Sequence, residues 1–133
     1  MDGYIRGSHV KFKMSVHVIF VTKYRKSLLV GEIQNDVKQF LYEASRNKGI
    51  SIQAMETDKN HVHMLFSYHP SMNVSALVKY LKQYSTYYTW KHHEVQLKKY
   101  YWKRKILWSD GYFVCSVGQV SQTIVEKYIK QQG

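Results

Sequence analysis

From Phe12 to Thr22 the chain is dense in Val, Ile and Phe, a β-branched and aromatic run that predicts a strand, and it ends in the basic loop Lys23-Tyr24-Arg25-Lys26. The period then changes. Ile33, Val37, Phe40, Leu41 and Ala44 form one stripe within Glu32–Lys48, which predicts an amphipathic helix halted by Gly49. Ile50, Ile52 and Ala54 restore a period of two over Ile50–Glu56, and the short turn Asp58-Lys59-Asn60 leads into an apolar run, His61–Tyr68. These two segments read as a hairpin. Pro70 closes the second, and Ser71 or Asn73 can cap a helix through Val74, Leu77, Val78, Leu81 and Tyr84 toward Trp90. Lys98–Lys105 reads as an exposed basic connection. Trp108-Ser109-Asp110-Gly111 then supplies a turn into a strand through Tyr112, Phe113 and Val114. Beyond Gly118, Val120, Ile124, Val125 and Ile129 recur at helical spacing to Gln132.

The order βαββαβα is that of a ferredoxin-like (RRM-like) α+β split unit, an antiparallel sheet with helices on one face, plus one added C-terminal helix. Residues 1–133 make one domain, large enough to bury a core without disulfides. The single cysteine, Cys115, follows an aromatic strand-like segment and reads as buried and reduced, which favours the cytoplasm. The longest apolar run near the start, Val16–Val21, is short and contains His17, and it suits neither a signal peptide nor a spanning helix.

Charge changes the picture more. Twenty Lys and Arg against nine Asp and Glu give a formal net charge of +11. The excess is concentrated: Lys91, Lys98, Lys99, Lys103, Arg104 and Lys105 are opposed locally by Glu94 alone, so a polyanionic partner is expected over a merely soluble basic face. Tyr80, Tyr84, Tyr87, Tyr88, Trp90, Tyr100, Tyr101 and Trp102 are interleaved with those cations, a mixture suited to single strands or hairpin loops. Tyr80, Tyr84, Tyr87 and Tyr88 also fall at helical spacing with Leu77 and Leu81, so part of that stripe should be packing.

Candidate chemistry sits in two places. Within the His61–Tyr68 strand, His61 and His63 are two apart and point to one face, where two imidazoles can grip a metal ion. No acidic general base stands beside them in sequence. In the last helix Tyr128 and Gln132 are one turn apart on one face, so a nucleophile and a third ligand can arrive together. His9, His17, His69, His92 and His93 lack comparable partners, and the adjacent His92-His93 pair reads as basic or solvated surface.

The His-hydrophobic-His strand, the basic segment Val21-Thr22-Lys23-Tyr24-Arg25, the turn Trp108-Ser109-Asp110-Gly111-Tyr112-Phe113 and the ending Tyr128-Ile129-Lys130-Gln131-Gln132 occur in this order. That combination resembles the single-tyrosine HUH transposases of the insertion-sequence 200/605 group, over nearly the whole chain from about His9 to Gln132. The resemblance implies a small homodimeric enzyme that cuts and rejoins single-stranded DNA at mobile-element ends, found through subterminal hairpins. It implies Tyr128 as nucleophile and His61, His63 and Gln132 as metal ligands, with active sites shared between subunits. One departure concerns Asn60, where such proteins often carry aspartate; a charged neighbour of the ligands is thereby lost.

A phenol of pKa about 10 is a poor nucleophile at neutral pH and needs help at the phosphate, which a divalent ion supplies as Lewis acid. Mg2+ or Mn2+ is expected over zinc, because the amide ligand is hard and the resemblance implies such ions, and the histidines tolerate manganese well. Backbone contacts are expected from Lys23, Tyr24, Arg25, Lys98, Lys99, Lys103, Arg104 and Lys105. Competing readings are a domesticated relative that processes chromosomal hairpin repeats, a non-catalytic module gripping single strands through aromatics on its central strands, and a zinc hydrolase.

Overall fold

The computed structural model describes residues 13–117. The Gly118 boundary and the helix expected over Val120–Gln132, with Tyr128 and Gln132, lie outside the described residues, as do His9 and the Phe12 start of the first strand.

Strand β1, Met14–Val21, leads through a single 3-10 turn, Lys23–Arg25, to helix α1, Gly31–Asn47. Strands β2, Ser51–Asp58, and β3, His61–Tyr68, form the expected hairpin, with Asp58 opposite His61 across the two-residue link Lys59-Asn60. Helix α2, Val74–Leu97, is followed by a long basic connection and by the short strand β4, Phe113–Ser116. The four strands lie in the order β2-β3-β1-β4, and every pairing is antiparallel. This is the split βαββαβ arrangement expected from the pattern, with β3 and β1 central.

Local signals explain the boundaries. Gly49 takes a left-handed conformation (φ 69°), and Ile50 N donates to Ser45 O at 2.9 Å, the six-residue closure by which a glycine ends a helix. The choice left open at the start of α2 falls to Asn73, whose Oδ1 accepts from Ala76 N at 3.0 Å. Helix α2 runs past Trp90 to Leu97 and kinks at His93 (φ −133°), because Trp90, His93 and Leu97 are all buried and keep the stripe going.

Alternation divides the sheet. Val16, Val18 and Phe20 of β1 and Val62, Met64 and Phe66 of β3 meet Val37 and Leu41 of α1 and Leu77, Val78 and Leu81 of α2 in the main core. The opposite face carries a second, small cluster in which Ile19 and Val21 pack with Phe113 and Cys115. Cys115 is therefore half-buried on that face and not in the main core, and burial pushes its thiol pKa up.

Most of the tyrosine stripe is packing between the helices. Tyr84 stacks near Tyr80 and Tyr88, with centroids 5.8 and 4.6 Å away, and its hydroxyl donates to Glu43 Oε1 at 2.9 Å. Tyr80 accepts from Asn47 Nδ2 at 3.0 Å. Tyr87 alone of the four is strongly exposed. The His92-His93 pair does not behave as a surface unit. His92 is exposed and lies against Phe40, whereas His93 is buried and Nε2 donates to Asp36 Oδ2 at 2.7 Å, tying α2 to α1.

Candidate metal centre and nucleic-acid interface

His61 and His63 project from β3 onto the face away from the helices, as strand alternation requires. His61 is buried, and Nδ1 donates to Asn60 Oδ1 at 3.1 Å, which leaves the lone pair on Nε2. The asparagine that departs from the family pattern thus still orients the ring, without adding charge. Burial lowers the His61 pKa, and Asp58 opposes that shift in part, so the imidazole is neutral at pH 7, the form that binds metal.

His63 has a partner that sequence reasoning missed. His17 Nδ1 and His63 Nε2 share a hydrogen bond of 2.9 Å, with ring centroids 5.0 Å apart. The two residues are diagonal neighbours across β1 and β3, since Ile19 faces His63 and His17 faces Leu65. The histidine reading is corrected in this respect: His17 belongs beside the candidate site. Carboxylates are also closer than the sequence suggested, because the register sets Asp58 opposite His61 and Glu56 opposite His63 on one face of the hairpin. Among the described residues no three His, Cys, Asp or Glu side chains gather closely enough to hold an ion by themselves. His61, neutral and oriented by Asn60, and His63, held by His17, fit two positions of a metal site that would need at least one further ligand.

One consequence is a pH dependence of stability. A histidine with a folded pKa below its unfolded value near 6.5 stabilises the fold above that pH, and the contribution is lost as pH falls toward the folded pKa. In chelator, the thermal midpoint of the wild-type protein should drop more between pH 7 and pH 5 than that of His61→Gln. Equal drops would show that His61 is not held neutral by the fold.

The basic interface is built from the two segments that the sequence singled out. Lys23 N donates to Leu107 O at 2.8 Å, and the buried Tyr101 hydroxyl donates to Lys23 O at 2.7 Å, so the 3-10 turn and the connection after α2 are joined. Lys98, Lys99, Lys103, Arg104 and Lys105 are exposed, as are Tyr24 and Arg25. Lys23 is the exception, since it is largely covered and Nζ lies 3.3 Å from Asp110 Oδ2. That carboxylate is itself almost fully exposed, so the pair sits at the surface, where a phosphate can compete for the lysine. Lys98 and Lys105 both meet Glu94, at 2.9 and 3.6 Å, but these pairs are exposed and weak enough for a phosphate to compete. Lys82 anchors the turn before β4, with Nζ donating to the carbonyls of Ser109, Asp110 and Gly111 at 2.8, 3.2 and 3.3 Å.

On the face bearing the histidines, β1 and β3 present His17, Ile19, Val21, His61, His63, Leu65 and Ser67, with no aromatic side chain among them. The stacking platform that defines an RNA-recognition sheet is therefore missing from its central strands. A histidine pair on the helix-free face of a ferredoxin-like sheet, with exposed cations on the turn after β1 and on the connection after α2, is the arrangement expected of a nucleic-acid-processing protein.

The family model described as "Transposase IS200 like" matches residues 10–132, and the chain belongs to that family. It is 30% identical over 127 residues to the ISDra2 transposase TnpA of Deinococcus radiodurans, covering 96% of this chain and 89% of that one. It is 30% identical over 125 residues to the transposase for insertion sequence element IS200 of Salmonella typhimurium, covering 94% and 80%. Among solved structures, a candidate transposase from Deinococcus radiodurans R1 superposes with a TM-score of 0.80 at 28% identity, covering 99% of this chain and 95% of that chain. A REP-associated tyrosine transposase bound to a REP hairpin shares the fold, with a TM-score of 0.59 at 13% identity, covering 97% and 68%. Among the described residues no helix is long and apolar enough to cross a membrane.

Proposed function

We propose that this transposase cuts and rejoins single-stranded DNA at the ends of a mobile element, using Tyr128 as nucleophile and His61, His63 and Gln132 as ligands for Mg2+ or Mn2+. The observation that carries the reading is His61, kept neutral by burial and oriented by Asn60, on the same sheet face as His63, which His17 contacts, in a chain whose family match extends through Tyr128 and Gln132. Asp58, opposite His61 in the register, is a further oxygen donor within the same hairpin.

A bound divalent ion supplies electrostatic stabilisation to the phosphate under attack. The phenol oxygen of Tyr128 forms a bond to the scissile phosphorus and gives up its proton, and the bond from phosphorus to the 3′ oxygen breaks. That oxygen takes up a proton and leaves as a 3′ hydroxyl, while the 5′ phosphate stays on the tyrosine. The phosphodiester energy is retained, so the 3′ hydroxyl of another cut strand can reverse the step without ATP. Rejoining different ends requires two cut strands held together, which a homodimer with shared active sites provides. His17 acts on His63, fixing its ring and tautomer, and is a positioning residue.

Subterminal hairpins are the proposed recognition element. The exposed cations Lys98, Lys99, Lys103, Arg104 and Lys105 supply phosphate contacts, and the REP hairpin in the related fold is consistent with that substrate. The test is an end-labelled element terminus offered as a single strand with its hairpin or as full duplex, with Mn2+ or with chelator. Cleavage only of the single strand, and only with metal, is expected; metal-independent or duplex cleavage would reject the proposal.

A further inference from the structure

We infer that the cleft between the 3-10 turn and the connection after α2 is a binding pocket for one unpaired base of the DNA strand and its flanking phosphates, an assignment that rests on the single-stranded substrate just proposed. The cleft has a volume of about 400 Å³, and its walls include Tyr24, Tyr100, Trp102, Lys26, Lys103 and Arg104. Tyr101 forms part of the lining, fixed by its hydrogen bond to Lys23 O and with its centroid 6.4 Å from that of Tyr24.

Three independent features converge on a base. The first is exposure: Trp102 is 74% and Tyr24 68% exposed, while the other two tryptophans, Trp90 and Trp108, are buried. Large rings left in water beside a cleft offer sequence-tolerant stacking. The second is charge, since no acidic residue lines the cleft and three cations do, which suits the phosphates on either side of a stacked base. The third is backbone strain. Tyr24 (φ 60°) and Arg25 (φ 53°) are consecutive left-handed residues, a conformation that favours glycine. The turn is locked by Arg25 N to Thr22 O at 2.9 Å and by Thr22 Oγ1 to Lys26 O at 2.7 Å. Keeping an exposed tyrosine where glycine is easier points to a use for its ring outside the fold. The larger groove along α2, of about 830 Å³, contains Glu94 and Asp110 among its walls and is less suited to a polyanion.

The experiment uses the full chain and two probes of equal length and charge, an oligothymidylate and an oligonucleotide of abasic sites. Trp102 is the only well-exposed tryptophan among the described residues, so quenching of intrinsic fluorescence reports on this pocket. The expected result is quenching by the oligothymidylate alone, and a loss of roughly tenfold in its affinity for Trp102→Ala and Tyr24→Gly. Binding of the abasic probe should be nearly unchanged in both. Tyr24→Gly also relieves the left-handed backbone and should be at least as heat-stable as wild type, so its weaker binding cannot be ascribed to misfolding. Lys103→Ala should weaken both probes and reduce the salt slope. Equal binding of both probes by wild type, or unchanged affinity in both aromatic variants, overturns the base pocket while leaving the transposase reading in place. Failure of wild type to bind either probe likewise overturns the base pocket, whereas the transposase reading is decided by the hairpin cleavage assay.

Discussion

Replacing Tyr128 with phenylalanine should abolish strand cleavage and rejoining, by at least about a thousandfold, while hairpin binding stays within a few fold of wild type. The reason is chemical. Phenylalanine keeps the ring but has no oxygen to bond to phosphorus, and the remaining route, attack by water, would give a hydrolysed end that cannot be rejoined. Binding should persist because it draws on exposed cations on residues 98–105, far along the chain from the tyrosine. Single-turnover cleavage of a labelled hairpin substrate, beside a gel-shift titration, separates the two quantities. A Tyr128→Phe protein that cuts at the wild-type rate would require a different nucleophile.

The second large effect concerns the histidine pair. His61→Gln and His63→Gln should each weaken Mn2+ binding by more than the roughly 10–100-fold typical of losing an outer partner, and the double variant should not cleave at any practical metal concentration. Titration by calorimetry reads this without reference to activity. His17→Phe should fall within that 10–100-fold range, because it removes the hydrogen bond that holds the His63 ring but leaves both ligands. The neutral form of His61 strengthens the case, since little proton release has to accompany coordination. Unchanged Mn2+ affinity in the double variant would remove β3 from the metal site.

Which parts of this were legible in the sequence follows from the range of the interactions involved. The hairpin and the common face of His61 and His63 depend on alternation and on a two-residue link, all within a short stretch, and they stand as expected. Gly49 ended α1 because one left-handed residue suffices for that closure. The contact of His17 with His63 is different, because it depends on the register between β1 and β3, which no local pattern encodes. The same holds for Asp58 and Glu56, which become neighbours of the histidines only when β2 pairs with β3. His93 departs from the surface expectation because the stripe of α2 continues past Trp90 and carries it into the core and onto Asp36. The pairing of Lys23 with Asp110 is equally invisible in the local pattern, because it depends on the chain reversal at Ser109-Asp110. The family resemblance, by contrast, rested on the order of motifs along the chain, and the match over residues 10–132 bears it out.

The most direct test of the account is to trap and map the covalent intermediate. The wild-type protein is incubated with a hairpin-bearing single strand and Mn2+, denatured, digested and analysed by peptide mass spectrometry. The account predicts one metal-dependent adduct, a 5′ phosphate on Tyr128. Cleavage with no adduct, or an adduct on any other residue, would contradict it.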